Sequence, residues 1–246
     1  MQITPPYGYQ RITPFLKSHR IKLPVAGSLP PFARTSNALP VTFTEFFAAS
    51  RDYPIVFSSN DNGATFAATM VLGLSAGENL FCSDGRWMER NYLPAYIRRY
   101  PFCMTKVTVD AVEQQQRLIC IEDEFLSDEG AAMFDNAGDP TPRWRELETL
   151  LHEFEVDLER TRELCGILAD FKLLEPFTLQ ASMTAGGAMH LTGMYRVDEK
   201  KLEFMTAGEL KTLIRKGAMA KIYSHISSLD NFQRLLDLRA SRQRAA

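Results

Sequence analysis

The densest run of groups able to hold a ligand lies between Gly85 and Phe102, where Trp87, Tyr92, Tyr96 and Tyr100 are interleaved with Arg86, Arg90, Arg98 and Arg99. A guanidinium forks onto a carboxylate, a phosphate or a peptide group, and the rings beside it supply flat apolar area. Arg98, Arg99, Tyr96, Tyr100 and Trp87 are therefore the candidate ligand-binding residues. In the competing account the arginines pair with the chain's own carboxylates and the rings fill the core. On a strand, Arg98 and Arg99 would point to opposite faces, so one alone would face inward. The inward one must be paired, because a lone buried charge is too costly to keep.

Imidazole is the second chemistry to weigh. The four histidines are His19, His152, His190 and His225, and none forms HxxxH or HExxH. No metal site is expected from such a pattern. His190 and His225 are the candidate catalytic residues. His190 sits on an expected strand, and His225 lies between Ser224 and the Ser227-Ser228 pair. Imidazole beside a hydroxyl can activate a nucleophile. No acid stands at a telling spacing, so packing or a hydrogen bond to a backbone carbonyl is the plainer role for His225. GxxxxGK[ST], GxGxxG and GxSxG are all absent, and no cofactor is expected.

Composition narrows the classes further. The chain has 246 residues, with 28 Lys+Arg against 30 Asp+Glu for a net charge of -2. That balance gives no support to a nucleic-acid binder. The four cysteines at 82, 103, 120 and 165 form no CxxC, and four free thiols are expected. The N-terminus has no apolar run of signal-peptide length, and no stretch approaches the ~20 residues of a membrane span. The expected location is cytoplasmic, with leaderless export to the cell surface as the alternative.

The elements that must position these residues read as follows. Pro5, Pro6, Pro14, Pro24, Pro30, Pro31 and Pro40 crowd the first forty residues. They predict an extended arm over 1–40, anchored by Phe15, Ile21, Leu23 and Phe32, ahead of a single compact domain over 41–246. Thr42 and Glu45 have capping-box spacing. Two β-type runs flank Asn60-Asp61-Asn62-Gly63 and predict a hairpin. A second pair covers 105–109 and 117–121, joined by polar Glu113 to Gln116. Residues 122–142 are acidic and turn-rich but lack the spacing of a calcium loop.

From Trp144 to Leu174 apolar residues recur at three- and four-residue steps, predicting a long amphipathic helix that Pro176 ends. Leu151 and Phe154 would face the core, and Glu148 and Glu155 the solvent. A second hairpin follows with Gly186-Gly187 at its tip, then three helices. The first of these is capped by Thr206 with Glu209, the first ends at Gly217, and Ser228 caps the third. The expected fold is α+β: a largely antiparallel sheet of hairpins packed against one long helix and a C-terminal group of short helices.

Four blocks carry a family resemblance. They are LPVTFTEFFAASRDYPIVF, GLSAGENLFCSDGRWMERNYLPAYIRRYPF, FDNAGDPTP and LTGMYRVDEKKLEFMTAGELKTLIRKGAMAKIYSHISSLDNFQRLLDL. Together they resemble the SapC family of bacterial proteins, from about residue 10 to residue 238. The resemblance implies a link to bacterial surface layers and to neighbours of flavin-dependent halogenases and outer-membrane uptake systems. It places weight on Arg98, Arg99, Tyr195, Arg196, Asp198 and His225 as motif positions and brings no catalytic mechanism.

The reading that results is a SapC-like accessory or binding protein of surface-layer biogenesis, whose partner is another protein or a peptide-like ligand. The alternative is an enzyme, or the partner of a flavin-dependent halogenase or oxidoreductase system, acting on a peptide or amino-acid-derived substrate. A lattice-forming subunit is a third. The oligomeric state stays open.

Overall fold

The computed structural model describes the chain apart from residues 1, 26, 110, 111, 114–116, 183–187 and 246, with the backbone alone at 2, 107–109, 112–113, 181–182, 188–189 and 245. Eight strands and six helices carry the fold. In chain order they are β1 (Ile12–Pro14), β2 (Ala38–Pro40), α1 (Phe46–Ser50), β3 (Ile55–Ser58), β4 (Ala67–Val71), α2 (Ala95–Arg98), β5 (Phe102–Thr105), β6 (Leu118–Glu122), α3 (Pro142–Asp170), β7 (Leu174–Ser182), β8 (Ala188–Val197), α4 (Ala207–Arg215), α5 (Ala218–Ser228) and α6 (Asn231–Ala245). Shorter two- and three-residue strands pair in separate small ladders.

Strands β7-β8-β3-β4-β2 form one antiparallel sheet and β1-β6-β5 a second. Both expected hairpins are present. β3 and β4 pair across the Asn60–Gly63 turn, where Asn62 and Gly63 both take positive φ. β7 and β8 pair along their length, and their Gly186-Gly187 tip lies outside the described residues. The fold is α+β, with antiparallel sheets, a long helix and a C-terminal helical group. No described helix is long and apolar enough to cross a membrane.

The main core lies between the five-stranded sheet and the helices, around Phe46, Tyr53, Phe57, Met70, Leu72 and Phe81. A smaller one gathers Ile21, Phe102, Ile121, Met133, Trp144 and Leu151. The arm is fastened to both. Ile21 and Phe32 are buried, and Phe15 and Leu23 are half-buried against the smaller core. Backbone donors of the arm are met in kind, since the buried Glu122 carboxylate accepts from Gln10 N at 2.6 Å and Arg11 N at 3.1 Å. Tyr9 donates to the Phe102 carbonyl at 2.7 Å.

Helix α3 runs 29 residues, ~44 Å at the usual rise. Thr141 caps it by accepting from Trp144 N, with Pro142 in the first turn. Its end differs from the expectation. The helix stops at Asp170 because Lys172 turns left-handed at φ 52°, and Pro176 lies inside β7. β7 is an edge strand, where proline's missing donor costs little. The expected helical phase also needs one correction. Leu151 and Phe154 are buried as expected, but Glu155 is buried too, held by arginines from neighbouring elements.

Both capping boxes form, at Thr42 with Glu45 and at Thr206 with Glu209. Gly217 ends α4 in the left-handed region at φ 67°. Ser228 does not cap the last helix. It is the buried final residue of α5, donating to the His225 carbonyl and accepting from Ile55 N at 2.8 Å.

Candidate functional site

Arg98 and Arg99 lie on a helical turn rather than a strand. Pro94 precedes α2 with its φ already helical, and the buried Glu45 carboxylate takes the Ala95 N–H at 2.7 Å. Tertiary anchoring thus overrides the β preference of the tyrosines. Consecutive residues on a helix diverge by about 100°, so the two arginines part. Arg99 is 3% exposed and Arg98 is exposed.

The candidate residues therefore divide between two clefts that flank α2. Arg98, Tyr100 and Trp87 line one of about 500 Å³, together with Leu23, Arg143 and Leu147. The polar groups of these three candidates are already engaged. Arg98 Nε donates to Leu93 O at 3.2 Å, and its Nη2 donates to the Tyr92 hydroxyl at 3.1 Å. Tyr100 donates to Glu124 at 3.0 Å, and Trp87 Nε1 lies 3.1 Å from both Tyr53 Oη and Tyr92 O.

Arg99 and Tyr96 line the other cleft, of about 730 Å³, walled by Thr4 to Pro6 of the arm, Lys106, Arg117 and the α3 residues Phe154, Glu155, Glu159 and Arg162. The Arg99 guanidinium lies 4.2 Å from the Tyr96 ring centroid, 4.3 Å from Phe154 and 5.7 Å from Tyr9. Ring quadrupoles favour a cation there. Its ion-pair partner, Glu155, stands 3.6 Å from Nη1, too far for a hydrogen bond. Arg99 Nε, buried, has no hydrogen-bond partner among the described residues. Such a donor carries its full desolvation cost.

Glu155 does not answer this demand alone. It is shared with Arg117, whose second nitrogen reaches Glu159 at 2.9 Å, and Glu159 is shared again with Arg162. Burial lifts the Glu155 carboxyl above its ordinary value, against the pull of Arg117 and Arg99. Among the described residues three guanidiniums thus face two carboxylates, leaving positive charge in excess. The arrangement suits an anion that completes the hydrogen bonding of Arg99.

His225 and His190 stand apart from both clefts. His225 is fully buried between α5, β3 and β8, with Nδ1 2.7 Å from Ile55 O and Nε2 accepting from Val197 N at 3.0 Å. Both ring nitrogens are therefore committed to backbone groups. Burial pushes its pKa down to about 4, so the ring is neutral at pH 7. His190 is exposed on β8, opposite Gln180. No group of three His, Cys, Asp or Glu side chains among the described residues is placed to hold a metal ion.

Arg117, Glu155, Glu159 and Arg162 were not among the sequence candidates. A faint signal existed, since Glu155, Glu159 and Arg162 follow one another at four- and three-residue steps and share a helix face. Nothing local ties Arg117 to them.

The SapC family model matches residues 19–235, nearly the whole length. The chain belongs to the SapC family. No curated protein and no solved structure matches it. The remaining motif positions of this SapC protein make structural contacts along β8 and the turn after it. Tyr195 sits opposite Phe57 and meets the Phe66 ring edge-on at 5.0 Å. Arg196 pairs with Glu175 at 2.8 Å, and Asp198 accepts from Lys200 N at 3.2 Å.

Proposed function

We propose that this SapC-family protein is a non-catalytic binding protein that takes an anionic ligand in the Arg99 cleft. The observation that carries the reading is Arg99, a buried guanidinium with an unpartnered Nε in an open cleft where, among the described residues, guanidiniums outnumber carboxylates. The surface-layer association implied by the family resemblance is the setting in which such a ligand, a peptide-like carboxylate or a phosphate, would be met. The catalytic alternative gains no support from His225, whose two nitrogens already have backbone partners.

The test is thermal melting with inorganic phosphate and with a dipeptide, for wild type and Arg99→Lys. A bound ligand at a hundred times its Kd adds about 2.7 kcal/mol, and each kcal/mol moves the melt by ~2–4 °C in a chain of this size. The wild type should gain several degrees and the variant almost none, since lysine lacks the planar fork. Equal gains in both proteins would overturn the assignment of Arg99.

A further inference from the structure

The Arg99 cleft does not end at Arg162. A second cavity of about 450 Å³ adjoins it along α3, and the two share Pro40, Leu158 and Arg162 as walls. Past Arg162 the lining turns apolar and small, with Ala67 and Ala68 of β4 facing Gly166 and Ala169 of α3. A Cβ built at Gly166 meets nothing within 4 Å, so the slot is open there. One groove thus has a cationic end and a narrow apolar end.

We infer that the ligand of this groove is amphipathic: a carboxylate or phosphate head bearing an apolar chain, such as an acyl group. This rests on the anion-binding reading above and adds the tail to it. The head completes the hydrogen bonding of Arg99 beside Arg117, where among the described residues only two carboxylates face three guanidiniums. The chain leaves water for the slot between β4 and α3. Small side chains on both walls leave room for methylenes, and the two hydroxyls of the lining are already given away, Thr161 to the Asp157 carbonyl and Thr65 to the Asp61 carboxylate. Arg162, on the border, has a long aliphatic stem that can line the passage while its charge stays by the head.

The experiment is calorimetric titration of the intact protein with carboxylates from butyrate to decanoate, with decyl phosphate and decylamine alongside. Affinity should rise about fourfold per added methylene, equivalent to ~0.8 kcal/mol, until the slot is full. Decylamine should not bind. Decanoate and decyl phosphate together separate a fatty-acid head from a phosphate head, and tight binding of either supports the inference. Gly166→Leu fills the slot from a position with free space. It should not lower the melt, since leucine favours the helix over glycine, and should flatten the chain-length dependence, while Arg99→Lys should weaken every anion at least tenfold. If phosphate stabilises the protein but affinity is independent of chain length, the tail is wrong and the anion site stands. If no anion binds in either assay, both fall. Decylamine binding as tightly as decanoate would mean a merely greasy groove and overturn the inference.

Discussion

Two neighbouring arginines meet opposite fates on the two sides of α2. Arg98 lies in water, its donors taken by a carbonyl and a hydroxyl of its own loop. Arg99 is stripped of water, caged by three rings and left with an unmet donor. The residue type is the same, and the sequence spacing is one. What differs is the dielectric around the charge. Near the surface a unit pair at 4 Å is worth a few kcal/mol at most, and solvent and entropy remove most of that. A buried charge keeps its Coulomb energy and also its desolvation cost, so its partners become decisive. A buried arginine with too few partners is where a ligand gains most.

The largest effect should come from the floor of the cage. Phe154 is 4% exposed, belongs to the main core and lies under the Arg99 guanidinium. Phe154→Ala should cost ~3–5 kcal/mol in urea melts. A cost under about 1 kcal/mol would mean that α3 is not seated as described and would erase the contrast between the two clefts.

His225 applies the same rule to a titratable ring. Its folded pKa is about 4, against ~6.5 when unfolded. Below pH ~6.5 the unfolded chain takes up a proton that the folded one refuses, so stability falls as pH drops from about 6.5 to about 4. Across that window the loss approaches ~3 kcal/mol, and above it the contribution is constant. Arg196, which also disfavours the charged ring, adds to the effect. Denaturant melts at pH 7.5, 6 and 5 measure it. His225→Gln should be less stable at neutral pH and should lose most of the slope. An unchanged slope would place the titration elsewhere.

Glu155 tests whether the charges of the Arg99 cleft act as a unit. Removing it leaves Arg99 and Arg117 facing each other without their shared carboxylate. Glu155→Ala should cost ~2–3 kcal/mol, less than a fully buried pair because the cleft is open. Glu148→Ala, two turns earlier on the same side of α3 but only half-buried and in no ion pair with Arg99 or Arg117, should stay within ~0.5 kcal/mol. Equal costs would return Glu155 to the solvent side of α3.

Much of this architecture was legible because it is written locally. The Asn60–Gly63 turn, the two capping boxes and Gly217 act within a few residues, and all formed. α2 was misread because its cause is remote: Glu45, fifty residues away, holds the first turn. Glu155 was misread because helical periodicity sorts residues by hydropathy and cannot see Arg99 and Arg117 arriving from other elements. The candidate site was half legible for the same reason. The Arg–Tyr block named Arg99 and Tyr96. The chain's folding, not its local pattern, sent Arg98, Tyr100 and Trp87 to the other side of α2.

The smallest effect sharpens the comparison most. Arg98 is exposed, makes two hydrogen bonds to neutral acceptors and lies 5.8 Å from the Tyr92 ring centroid. Losing these should cost no more than ~0.5 kcal/mol, because water replaces each partner at once. Arg98→Ala should therefore melt with the wild type and keep its response to anions. The aromatic wall of the Arg98 cleft survives that change, since Trp87 and Tyr100 are held by bonds that do not involve Arg98. An Arg98→Ala protein that folds normally yet loses anion binding would shift the site to the other side of α2. One that loses several degrees would show that the exposed arginine braces the loop before α2, and that burial alone does not rank the pair.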